Sequence, residues 1–232
     1  MIPHETTDRL AANGHAAVNG VVRRVAAPKH RDRPRVNADP YAELLANIQR
    51  PVGPAGQLPQ VVGVTSCTRR EGVSTVAANL ALTAAQSLGK NVLLVDARVS
   101  RPTLHQHLAS PRSPGLSEYL AGAADLADCL FQCDLECLTL LPAGNVGNVS
   151  DHAEATSVTP LLEAIRADFW LVVIDLPPVD ELGDCWLLAG HLDGTVLVLA
   201  AERVAAHTAR RAAERLLRAG VRLLGAVFNG VR

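Results

Sequence analysis

The stretch Val61-Val62-Gly63-Val64-Thr65-Ser66-Cys67-Thr68-Arg69-Arg70-Glu71-Gly72-Val73-Ser74-Thr75-Val76-Ala77-Ala78-Asn79-Leu80-Ala81 decides how the rest of the chain is read. A run of β-branched residues leads into a polar loop, and the loop feeds an alanine-rich segment. Strand, loop and helix in this order are the setting of a phosphate-binding P-loop, whose pattern is G-x-x-x-x-G-K-[ST]. Gly72, Ser74 and Thr75 fit that pattern. Cys67 stands where the first glycine belongs, and Val73 stands where the lysine belongs.

Outward from this stretch, apolar runs alternate with helical segments. Strands are expected near residues 60–66, 91–96, 138–142, 170–175, 194–200 and 222–228. Helices are expected near 74–88, 116–121, 158–167, 183–189 and 205–219. That alternation predicts an α/β protein, a P-loop NTPase-like, mostly parallel sheet with helices on both faces. Runs such as Leu171 to Ile174 and Thr195 to Leu199 lack polar alternation, as strands buried on both faces do. In such sheets a ligand sits beyond the carboxyl ends of the strands.

Three strand ends therefore carry the candidate chemistry. The loop 67–75 offers backbone N–H groups and a helix N-terminus to an anion, and Gly72 lets the backbone curl close to it. Ser74 or Thr75 would give a hydroxyl to Mg²⁺. Asp96 closes Val92-Leu93-Leu94-Val95, and Asp175 closes Leu171-Val172-Val173-Ile174. Two carboxylates on neighbouring strand tips could hold a hydrated Mg²⁺ or orient a nucleophile. A lone aspartate at a strand end is usually a turn former or helix cap. All three features after apolar strands, in this order, are harder to obtain by chance.

The chain has 232 residues, enough for one substantial core and a tail. A net charge of −1 argues against a nucleic-acid partner. No apolar run reaches the roughly 18–20 residues of a membrane span, and the first residues lack a signal-peptide layout. A cytoplasmic protein is expected. Residues 1–36 lack hydrophobic periodicity and end in Lys29-His30-Arg31-Asp32-Arg33-Pro34-Arg35, which reads as a disordered, mildly basic tail before a domain at 37–232. Asp39 and Pro40 start a helix carrying Tyr41, Leu44, Leu45 and Ile48 on one face. Of the five cysteines, Cys129, Cys133 and Cys137 are spaced like metal ligands, but the segment passes from helix to strand and no histidine completes it. They are read as small buried hydrophobes.

The motifs together resemble the cytoplasmic domain of bacterial tyrosine kinases that regulate capsule and exopolysaccharide synthesis, within the deviant P-loop ATPases. The likeness runs over about residues 37–232. Glu71 to Ala81 is similar to E-G-K-S-T-x-x-A-N-L-A, and Leu93 to His105 to L-L-I-D-A-D-L-R-R-P-x-L-H. Pro114 to Gly122, Leu141 to Gly144, Ile174 to Val179 and Leu224 to Gly230 match further family stretches. The resemblance implies ATP or ADP with Mg²⁺ as cofactors, a base contact at Asn229, and phosphate contacts around Arg70, Glu71, Gly72, Val73, Ser74 and Thr75. It also implies a membrane-bound chain-length or export activator as partner, which would bring the protein to the inner face of the membrane.

The departures matter as much. Val73 replaces the phosphate-binding lysine, Arg98 the second aspartate of D-x-D, and Ser100 the first arginine of R-R-P. The family's ring-assembly pattern E-x-x-R-x-x-R appears as Asp39, Ala42 and Leu45, so any homo-oligomer would lack that motif. No tyrosine cluster follows Asn229. Loss of a charge-assisted bond to phosphate, worth roughly 1.5–3 kcal/mol, weakens binding about ten- to a hundredfold or more. Arg98, Arg69 and Arg70 are candidate replacement cations. Arg98 either partly replaces both lysine and metal or points to solvent. Two functions follow: a pseudokinase-like regulator with weak or absent phosphoryl transfer, or an active ATPase or tyrosine kinase using a replacement cation. A partition-type positioning ATPase is a weaker third, disfavoured by Pro114 to Gly122 and the R-P-x-L-H remnant.

Overall fold

The computed structural model describes residues 23–24, 40–51, 56–145, 155–183 and 185–230. The strands are β1 (Arg23–Arg24), β2 (Val61–Ser66), β3 (Val92–Asp96), β4 (Phe131–Gln132), β5 (Leu138–Leu141), β6 (Leu171–Asp175), β7 (Gly194–Ala200) and β8 (Leu223–Asn229). The helices are α1 (Pro40–Ile48), α2 (Val73–Leu88), α3 (Leu104–His107), α4 (Leu116–Leu120), α5 (Leu126–Cys129), α6 (Ala155–Asp168), α7 (Cys185–Gly190) and α8 (Ala206–Arg218). A 3-10 turn spans Val179–Glu181. The strands form one sheet in the order β1-β4-β5-β3-β6-β2-β7-β8, and among the described strands only the β4–β5 pair is antiparallel.

The lack of polar alternation in the strands has its cause in two cores. Successive side chains of a strand point to opposite faces. On one face Leu93, Val95, Val172, Ile174 and Leu197 meet Leu161 and Ile165 of α6 and Leu216 of α8. On the other Val62, Val64, Leu94, Val173 and Val196 meet α1 and α2. Ala77, Ala81 and Ala84 of α2 are fully buried, and their small side chains let the helix lie close to the sheet. Gly89 ends α2 at φ 58°, and its N–H closes onto the Ala85 carbonyl, as glycine does after a helix.

The six expected strands and six expected helices are present, with ends displaced by a few residues at most. Helices α3 and α5 and strands β1 and β4 were not expected, because two to four residues carry no readable period. Within the stretch read as a tail, Arg23 and Arg24 pair alongside β4; its other residues lie outside the described ones. Asp39 also lies outside them, while Leu45 and Ile48 of α1 are buried as its spacing requires. Cys129 ends α5, Cys133 follows β4 and Cys137 precedes β5. Cys129 and Cys133 are buried, and burial pushes both thiols up to about 12. Among the described residues no group of three metal-ligating side chains forms, and no helix is long and apolar enough to cross a membrane.

Candidate functional site

The parallel pairing of β2, β3 and β6 brings the three predicted strand ends to one edge of the sheet. Asp96 and Asp175 lie opposite each other in the β3–β6 register, and β2 is the other neighbour of β6. The loop after β2 turns through left-handed backbone at Arg70 (φ 64°) and Gly72 (φ 88°) before α2 begins. No side chain caps the α2 N-terminus, so its first N–H groups face the loop. Cys67 is buried, and burial pushes its thiol up to about 11, so it packs as a neutral hydrophobe. Val73 is buried in the core shared with α1 and α2.

Glu71 is a strut. One carboxylate oxygen accepts from the Thr68 N–H and, at 2.9 Å, from the Thr68 hydroxyl. The other accepts from the Ala200 N–H at 3.1 Å, tying the loop to the end of β7. The Asn229 side-chain amide donates to the Glu71 carbonyl at 2.9 Å. A Cβ on Gly72 would come within 2.0 Å of that same nitrogen. Asn229, read as a base contact, thus has its amide nitrogen engaged with the loop backbone. Sequence spacing places Asn229 on a strand end but cannot show how close β8 comes to the loop.

Ser74 and Thr75 separate cleanly: Ser74 is buried and Thr75 is exposed. The Arg98 guanidinium donates to the Ser74 hydroxyl at 2.8 Å, and the Thr103 hydroxyl lies 3.0 Å from it. Arg98 is half-buried and turned inward. Of the other loop cations, Arg69 pairs with Glu181, and Arg70 is exposed without an ion pair among the described residues. The segment after β6 is held by the Thr65 hydroxyl donating to the Pro177 carbonyl at 2.7 Å and by an Arg215–Asp180 ion pair at 3.4 Å. Thr103 and Glu181 carried no sequence signal, since each acts on a residue far away in the chain.

The two aspartates differ. Asp96 accepts from the N–H groups of Arg98, Thr103 and Leu104, each at 3.1 Å, so it organises the turn into α3. Burial raises its pKa against the pull of those bonds and of the Arg98 charge. Asp175 is fully buried, and neither of its oxygens has a hydrogen-bond partner. Burial first, and the neighbouring Asp96 charge second, push it up to about 8. The Ser74 hydroxyl and Arg98 oppose this only in part, the hydroxyl at a geometry short of a hydrogen bond. Near neutral pH Asp175 therefore holds its proton.

Of the set that would bind Mg²⁺, Ser74 faces a guanidinium and Asp96 faces three N–H groups. Only Asp175 has uncommitted oxygens. In this arrangement Arg98 is the cation at Ser74. The uncapped α2 N-terminus and the curled loop fit a phosphate.

A parallel sheet with a phosphate loop between its first long strand and helix defines a P-loop NTPase-type fold. The septum site-determining protein MinD of Pyrococcus horikoshii shares that fold, with a TM-score of 0.60 at 21% identity over 73% of this chain and 69% of its own. No protein-family model matches the chain. The tyrosine-protein kinase CpsD of Streptococcus agalactiae is 31% identical over 179 residues, 76% of this chain and 78% of CpsD. The crystal structure of the chimerical protein CapA2B2 superposes with a TM-score of 0.77 at 26% identity, covering 89% and 93% of the two chains. This chain belongs to the bacterial tyrosine-protein kinase family.

Proposed function

We propose that this chain is a nucleotide-binding, pseudokinase-like member of its family that regulates exopolysaccharide or capsule assembly, with weak or absent phosphoryl transfer. The observation that carries the reading is the Arg98 guanidinium on the Ser74 hydroxyl at 2.8 Å. ATP or ADP phosphates would be held by the loop N–H groups of residues 70–75, with Arg98 supplying the positive charge that Val73 cannot. Binding of this kind needs no Mg²⁺, although MinD of Pyrococcus horikoshii was solved with Mg-ADP. Phosphoryl transfer suffers more than binding, because it relies on cations placed around the transferring group.

Titration calorimetry of the purified chain with ADP and ATP, in Mg²⁺ and in EDTA, tests this. Binding of similar strength in both, lost in Arg98→Ala, is expected. Binding only in Mg²⁺ contradicts the metal-free reading. The partner would be a membrane protein of the polysaccharide chain-length or export machinery, recruiting this chain from the cytoplasm. One observation favours the active-enzyme alternative: the Arg70 guanidinium on the loop is exposed, has no ion pair among the described residues and would be available as a replacement cation. Tyrosine phosphorylation from labelled ATP, abolished by Arg70→Ala, would establish that alternative.

A further inference from the structure

Strand β8 is an edge among the described residues: its one neighbour there is β7, and no described strand lies on its far side. It is poorly covered for so apolar a sequence. Strand β7 is buried along nearly its whole length, whereas Phe228 of β8 is 66% exposed. Between β8 and α1 runs a groove of about 430 Å³. Leu44, Ile48, Leu224 and Val227 line its apolar part, Arg50 and Arg222 stand in its wall, and no acidic residue among the described ones lines it. Both guanidinium groups are exposed, and neither forms an ion pair among the described residues.

The free edge is also regular where it matters. The register shift of the β7–β8 pair falls between Thr195 and Val196, before Gly225, so the ladder from Gly225 to Asn229 is unbroken. The Asn229 carbonyl accepts from the Ala201 N–H at 2.8 Å, on the β7 side. Backbone groups of a parallel strand alternate sides, so the N–H and C=O of Ala226 and Phe228 face outward.

We propose that this edge and groove are the docking site for an extended peptide of a partner protein, apolar at alternate positions and flanked by acidic residues, which adds to β8 as a further strand. Backbone bonds along the edge would give affinity, and the groove would take alternate side chains. Arg50 and Arg222 would select acidic flanks and repel basic ones. A second copy fits less well. Two β8 edges paired about a twofold axis bring the same basic wall from both copies together. A lipid surface fits less well too, because it cannot satisfy the outward backbone groups.

The test uses the full chain and a fluorescein-labelled peptide of alternating valine and threonine with glutamates at both ends, beside the same peptide ending in lysines. Fluorescence anisotropy should show binding of the acidic peptide at least about tenfold tighter than the basic one. Ala226→Pro removes an outward N–H while sparing the β7 ladder, and should abolish binding with an unchanged circular dichroism spectrum. The double variant Arg50→Glu/Arg222→Glu should reverse the peptide preference, an arm that does not depend on how proline is tolerated. The proposal is overturned if neither peptide binds or if both bind equally to the natural chain. Insensitivity to both sets of variants would overturn it too. So would competition by a synthetic peptide of residues 1–36, a dimer in sedimentation velocity that Ala226→Pro dissolves, or binding to phosphatidylserine vesicles in place of the peptide.

Discussion

The Arg98 guanidinium reaches back 24 residues to donate to the Ser74 hydroxyl at 2.8 Å. A positive side chain thus stands against the hydroxyl that G-K-[ST] loops offer to a metal. If that contact is what frees the site from metal, restoring the family residues must restore metal dependence. The double variant Val73→Lys/Arg98→Asp is expected to bind ADP at least about tenfold more tightly in Mg²⁺ than in EDTA. The natural chain is expected to show little difference. Indifference to Mg²⁺ in the double variant would remove Arg98 as the cause.

Asp175 gives a pH signature. Its carboxyl is raised to about 8 in the folded chain, against about 4 in an unfolded one. Below the lower value both states hold the proton and the group contributes no pH dependence. Between the two values the unfolded state has lost the proton that the folded state keeps, so stability falls as pH rises, and the fall ends above about 8. Asp175→Asn mimics the protonated form and should abolish this component. Urea denaturation at pH 5 and pH 9 is expected to find the variant gaining on the natural chain at the higher pH. A constant difference would count against a buried, protonated Asp175.

Glu71 bridges the loop to β7 through bonds with Thr68 and Ala200. Glu71→Gln keeps its shape but turns one acceptor into a donor facing another N–H. A loss of about 1–3 kcal/mol in urea denaturation is expected, the cost of leaving a buried polar group unpaired. An unchanged midpoint would show that the strut does not bear on stability.

Gly72 and Asn229 should be coupled. Alanine at Gly72 suffers twice, from a φ of 88° and from a contact of 2.0 Å with the Asn229 amide nitrogen. The left-handed backbone alone costs about 1–2 kcal/mol. Removing the Asn229 side chain relieves the contact but not the backbone strain. The double variant Gly72→Ala/Asn229→Ala should therefore lose less stability than the two single losses combined, by at least about 0.5 kcal/mol. Simple additivity in a thermal or urea series would separate the two residues.

Much of the architecture was legible because burial on both faces writes itself into a strand. The runs at Leu171 to Ile174 and Thr195 to Leu199 have no polar alternation because α1 and α2 cover one side and α6 and α8 the other. Placing Asp96 and Asp175 at strand ends was enough to predict that they would share an edge. The short elements α3, α5, β1 and β4 escaped because they hold fewer residues than a pattern needs.

The sequence by itself determined the parallel α/β sheet, the phosphate loop after β2 and the missing lysine, since each is a local pattern of residue types at fixed spacing. Only the tertiary structure decided what the polar side chains do. Arg98 could have faced solvent but meets Ser74. Glu71 could have faced a ligand but braces β7. Asn229 has its amide nitrogen on the loop carbonyl of Glu71. The physical reason is that apolar burial follows a short period along the chain, whereas a hydrogen bond depends on direction and on a partner that chain folding brings from far away.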